Sequence, residues 1–122
     1  MDDRLKVQAK AWIDAWNRRD LPAIMDHYAE AVVFSSPTVT RRWGAATGGI
    51  LRGKERLRDH FARGLAAYPS LRFELLDVLI GVDGITILYR RETGALVADV
   101  LVVDADGRAL SATAYYSAKP EA

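Results

Sequence analysis

Residues 97–117, VADVLVVDADGRALSATAYYS, set two runs dense in apolar side chains on either side of Asp104-Ala105-Asp106-Gly107. Aspartates followed by a glycine that takes positive φ without strain make a tight turn, so the stretch reads as a β-hairpin. Its first strand holds one residue foreign to a plain core, Asp99, between Ala98 and Val100. A carboxylate there either points to water or sits in a pocket of low polarity that tightens its hold on a proton. The functional reading turns on which.

Working upstream, residues 71–82 and 85–92 are two more strand-like runs, divided by Asp83-Gly84 and followed by Thr93-Gly94. With 96–103 and 109–117 they form a four-stranded antiparallel meander. The chain before the meander is mostly helical. In residues 2–19, Leu5, Ala9, Trp12 and Trp16 recur at helical spacing and turn two indoles inward. Asp20 can cap a second helix, with Pro22 tolerated in its first turn and Ile24 and Tyr28 on one face. Leu57, Phe61 and Leu65 mark a third helix over 54–68, ending before Pro69. Residues 31–36, AVVFSS, read as a short strand closed by Pro37. The segment 38–53, with four glycines, Trp43 and the pair Arg41-Arg42, reads as a long loop. Such a loop is often a lid or binding loop, here anchored by Trp43, although a short strand over 50–52 is equally compatible. Residues 119–122 form a short polar tail. The fold class is therefore α+β: three N-terminal helices packed on one face of a strongly curved, mainly antiparallel sheet.

Composition narrows the function. The 122 residues suit one domain, 1–122, with half of them hydrophobic. Seventeen basic against sixteen acidic residues, without long runs of one sign, point to no nucleic-acid or membrane surface. Without cysteine there is no disulfide, thiolate nucleophile or cysteine metal site. The charged start MDDRLKVQAK lacks the apolar centre of a secretory signal, so a cytoplasmic location is expected. His27 and His60 are not spaced as metal ligands, and both read as surface or helix-end histidines.

The segments AWNRRDLPAIMDHYAEAVVFSSP, LRGKERLRDHF and DADGRALSATAYYS, in that order, resemble the nuclear transport factor 2-like superfamily, and within it the SnoaL-like and ketosteroid-isomerase-like members. The resemblance covers nearly the whole chain. It implies a cone in which a curved sheet wraps helices around an apolar pocket, commonly in a homodimer, and often an enzyme without a cofactor acting on hydrophobic rings. In steroid isomerases of this fold, a helix tyrosine and a protonated strand aspartate form an oxyanion hole while a second aspartate moves the proton. Here the strand aspartate matches Asp99, but the tyrosine falls on Trp12 and the base on Ser36.

A serine hydroxyl is no base near neutral pH, and an indole offers a donor without acid chemistry, so these departures argue against a steroid-isomerase proton shuttle. What remains is a pocket with Asp99 and Tyr116 as catalytic candidates. Trp12, Tyr28, Ser36, Trp43, Phe61, Arg90 and Ala112 are the ligand-binding candidates. Each has a plainer reading: Asp99 as a structural carboxylate bonded to Tyr116, Trp12 or an arginine, the aromatics as core, and Ser36 as a backbone cap. Arg90 and Arg91 point to opposite faces, so one of them can turn inward toward Asp99. The expected function is a small hydrophobic-molecule pocket, either an isomerase, cyclase or hydrolase using Asp99 as acid or oxyanion donor, or a ligand-binding or dimerisation module. The expected partners are a small hydrophobic ligand and a second copy of the chain through the sheet, with Ile85, Ile87 and Val100 or their alternate-parity neighbours in contact. No metal or cofactor is expected.

Overall fold

The structure, a computed structural model, describes residues 3–118. Asp2 and the tail 119–122 lie outside the described residues. Among the described residues, four α-helices and six strands follow in the order α1 (Asp3–Asn17), α2 (Leu21–Met25), β1 (Tyr28–Ser35), α3 (Pro37–Trp43), β2 (Ile50–Arg52), α4 (Lys54–Ala67), β3 (Phe73–Ile80), β4 (Gly84–Arg91), β5 (Leu96–Val103) and β6 (Ala109–Tyr116). One 3-10 turn, Ala45–Thr47, lies between α3 and β2. The strands make one sheet in the order β2-β1-β6-β5-β4-β3. The β1–β6 pair is parallel and every other neighbour antiparallel. The expected α+β class and the meander are present. Among the described residues no helix is long and apolar enough to cross a membrane.

The sheet curves because its ladders slip. Register shifts fall in β1 between Tyr28 and Val33, in β3 between Leu75 and Asp77, and in β6 between Ala109 and Ser111, opposite Val103 and Val102. Each extra residue bends its strand and adds twist. The bent sheet wraps α1, whose Ala9, Trp12, Ile13 and Trp16 are buried against it. At Gly84 the backbones of β4 and β5 run so close that a Cβ would sit 1.8 Å from the Leu101 carbonyl oxygen.

Three expectations about local structure are corrected. The second helix stops at Met25, and Tyr28 opens β1 rather than continuing a helical face. The His27 carbonyl accepts from the Ala109 amide at 2.8 Å, so the sheet claims the chain three residues before the expected strand start. The segment 38–53 is not one long loop: its first part is α3, and the alternative of a short strand over 50–52 is present as β2. Ser36 caps α3 by accepting from the Thr38 amide at 3.1 Å, Pro37 fills the first turn, and Gly44 ends the helix at φ 104°.

One side chain fastens the end of α1 to the first strand of the meander. Asn17 Nδ2 donates to the Phe73 carbonyl at 2.8 Å, and the Phe73 amide donates to Asn17 Oδ1 at 2.7 Å. Two residues later Arg19 adopts the left-handed conformation, φ 59°, that closes a helix end. Its guanidinium donates to the Leu65 and Tyr68 carbonyls at the end of α4. Replacing Asn17 by alanine strands both backbone groups of Phe73, so Asn17→Ala is expected to cost about 1–3 kcal/mol in urea unfolding, read as a lower midpoint at unchanged slope.

Candidate functional site

Between the helices and the concave face of the sheet lies a cavity of about 280 Å³. Its closed end is walled by Trp12 and Trp16 of α1, Tyr28 and Phe34 of β1, Phe61 of α4, Phe73 of β3 and Tyr89 of β4. These residues are all buried. Phe73 stacks on Tyr89 at 4.3 Å between ring centres, while Trp12 meets Tyr89 edge-on at 5.6 Å. Toward the open end the wall passes to Thr38, Arg41, Arg42, Gly64, Tyr68 and Arg91.

Asp99 is the one carboxylate lining this cavity, and it is 4% exposed. Strand alternation turns Asp99 inward opposite Ile87 and Ala114. Of its expected partners, Tyr116, Trp12 or an arginine, none bonds it. Tyr89 Oη instead donates to Asp99 Oδ2 at 2.8 Å. Burial pushes the carboxyl up to about 7, with the tyrosine bond pulling weakly the other way. Asp99 Oδ1 has no hydrogen-bond partner among the described residues and is not sealed from the cavity.

Trp12 Nε1 donates to Tyr28 Oη at 2.9 Å, which leaves the Tyr28 hydroxyl hydrogen without an acceptor among the described residues. Burial and the nearby Asp99 both raise the Tyr28 pKa, so the hydroxyl stays a donor. Tyr116 lines the cavity beside Ala114. Burial and Asp99 raise its pKa, against the pull of Arg91 and Arg41.

Four expected ligand contacts do not line the cavity. Ser36 is spent on capping α3 and on a 2.8 Å bond with Thr38 Oγ1. Ala112 is buried in the core deeper along β6, and Ala114 takes the cavity position. Arg90 points outward to the Gly94 carbonyl, whereas Arg91 is the inward arginine, paired with Glu92 at 2.8 Å and lying 5.0 Å over the Tyr68 ring. Trp43 stands behind the wall with Arg63 over its ring at 5.1 Å.

His60 is buried rather than on the surface, and it joins α4 to α3. Trp43 Nε1 donates to its Nδ1 at 3.0 Å, and Arg42 Nη1 approaches the same atom at 3.3 Å. Both are obligate donors, so Nδ1 must be bare and Nε2 carries the proton toward Thr38 Oγ1 at 3.0 Å. Burial, reinforced by Arg42, pushes the imidazole down to about 4, which fixes it neutral. Its place was readable from Leu57, Phe61 and Leu65, because position 60 lies at the i+3 spacing on that face.

A family model described as the SnoaL-like domain matches residues 9–117. A SnoaL-like protein of unknown function from Burkholderia thailandensis is similar over 96% of this chain and 98% of its own, at 37% identity and a TM-score of 0.88. A candidate isomerase of the SnoaL-like family from Agrobacterium tumefaciens shares the fold at 15% identity and a TM-score of 0.73, covering 94% of this chain and 98% of its own. TerC, co-crystallised with polyporic acid, shares it at 16% identity and a TM-score of 0.73, covering 91% and 90%. No curated protein matches the sequence.

Asp99 and His60 act on stability with opposite signs. Folded Asp99 holds its proton more tightly than the ordinary 3.8, so its contribution is full below about pH 4 and is lost as pH rises toward 7. Folded His60 gives up its proton more readily than the ordinary 6.5, so its contribution is full above that value and is lost as pH falls toward 4. In urea unfolding, Asp99→Asn is therefore expected to gain on the parent protein as pH rises, by roughly 4 kcal/mol at most. His60→Gln is expected to gain on it as pH falls.

Proposed function

The chain belongs to the SnoaL-like family, and we propose that its cavity binds a small hydrophobic ring compound and acts on it as an acid without a cofactor. The observation that carries this reading is Asp99, buried at the closed end of an aromatic cavity with one oxygen held by Tyr89 and the other open to the cavity. A carboxyl whose proton is kept to about pH 7 can donate to a ring carbonyl or ether oxygen. Tyr28 Oη–H supplies a second donor on the same cavity wall. Together they stabilise negative charge as it develops on that oxygen, the electrostatic part of an isomerisation, cyclisation or ring-opening hydrolysis. TerC, with the same fold, was co-crystallised with polyporic acid, which supports the reading of a ligand-holding cone.

No second carboxylate lines the cavity, and the His60 nitrogen that could accept a proton is already occupied by two donors. These absences among the described lining residues favour a second reading, binding without turnover. The outer sheet face bears Leu76, Leu79, Leu96, Val100, Leu110 and Tyr115 in the open, and it is the surface proposed for a homodimer. Ile85 and Ile87, offered for that contact on sequence, point inward and are buried.

The acid reading is tested with 1-tetralone, a neutral ring ketone, by quenching of tryptophan fluorescence across pH 5 to 9. Binding is expected to weaken about tenfold above pH 7 as Asp99 ionises and to stay level in Asp99→Asn, which keeps a donor. Binding with no pH dependence would remove the acid role, leaving the binding module. Sedimentation equilibrium at micromolar concentration is expected to show a dimer; a monomer would remove the sheet-face contact.

A further inference from the structure

The cavity is polar in the electrical sense: its closed end is apolar around one proton-holding acid, and its open end is basic. Arg41 and Arg42 come from consecutive positions of α3 and Arg91 from the end of β4, and all three line the cavity. The three are not equivalent. Arg91 has its counter-charge in Glu92, 2.8 Å away, and is stacked on Tyr68. Arg42 spends one hydrogen on His60 Nδ1, a neutral atom, so its charge is positioned without being cancelled. Arg41 is exposed and has neither a hydrogen bond nor a salt bridge among the described residues. The only lining carboxylate, Asp99, is at the far, buried end and gives these cations no counter-ion.

From this arrangement we infer that the ligand is an amphipathic acid, an apolar ring body bearing a carboxylate, with the carboxylate held by Arg41 and Arg42 at the mouth and the rings against the aromatic wall. The inference rests on the reading of the cavity as a ligand pocket and adds the charge and orientation of its occupant. A planar guanidinium presents paired N–H groups that match the two oxygens of a carboxylate. The mouth lies partly out of water, where such a pair is screened less than on an open surface. The void of about 280 Å³ admits a body of one or two fused rings. The α3 scaffold holds the grip in place. Ser36 caps its start, and Thr38 and Trp43 tie it to the neutral His60, so Arg42 and its neighbour Arg41 sit on a braced turn rather than a free loop.

The test compares two compounds of one shape, 2-naphthoate and 2-naphthamide, by tryptophan quenching and by calorimetry at pH 6.0, where the ligand carboxylate is charged and Asp99 still holds its proton. The parent protein is expected to prefer the acid by on the order of tenfold at low salt, a preference that shrinks several-fold in 0.5 M NaCl. In Arg41→Gln and in Arg42→Gln the ratio of the two affinities is expected to fall toward one. Arg41 is exposed, so its variant tests the charge without disturbing the core. Equal binding of acid and amide by the parent, or a preference surviving in both variants, would overturn the inference while leaving the pocket reading intact. Failure of 2-naphthoate, 2-naphthamide and 1-tetralone alike would overturn both. A 2-naphthyl phosphate bound far above the carboxylate would overturn the assignment of a carboxylate.

Discussion

The packing of two indoles against two sheet aromatics governs the rest of this structure. Trp16 meets Phe73 at 5.2 Å between ring centres and Trp12 meets it at 5.8 Å, while Phe73 stacks on Tyr89. Rings of this size hold α1 away from the sheet where alanines would let it settle, and flat aromatic surfaces do not interdigitate as branched side chains do. The remaining volume becomes the cavity, and the sheet reaches around it by bulging. The same stack fixes the Tyr89 ring, so its hydroxyl is delivered to Asp99 by packing rather than by attraction to a charge.

The chemistry of the cavity follows from how its buried groups lose their charge. Asp99 keeps its proton up to about pH 7 because burial makes the anion costly. His60 is neutral for a second reason besides burial: two obligate donors crowd the nitrogen that would otherwise take a proton. Positive charge is thus confined to arginines, which cannot lose it. The result, below about pH 7, is an interior with a direction of field, positive at the mouth and uncharged at the closed end.

Much of this was legible in the sequence, and the failures have physical causes. The meander and the amphipathic stripe of α1 follow from period-two and helical spacing, whereas the inward turn of Asp99 does not, because both faces of β5 are apolar. The choice between Arg90 and Arg91 was also legible: Ile85, Ile87 and Tyr89 alternate on one face, and Arg91 continues that parity. Tyr89 as the partner of Asp99 needed the register of β4 against β5, which spacing along one strand does not contain. Residues 38–43 were misread as loop because the glycines that follow outweighed Ser36-Pro37, a capping residue followed by proline in the first helical turn, while the strand offered over 50–52 is present. Ser36 therefore has a structural task in place of the proton transfer that the steroid-isomerase pattern assigns to its position. Trp12, at the position that the resemblance gives to the oxyanion tyrosine, instead donates to the hydroxyl of Tyr28 on β1.

The parallel seam between β1 and β6 joins Phe34 to Ala112 and so closes a loop through most of the chain. Loop closure on that scale is entropically slow, and such a seam belongs late in assembly, after the local hairpins of the meander. Until β1 and β6 pair, Tyr28 and Phe34 are not set beside the meander, and the cavity lacks the wall they give it. The concave chamber is thus among the last features to exist as the chain folds, and any compound that fills it can speed nothing before that step yet holds the seam closed afterward.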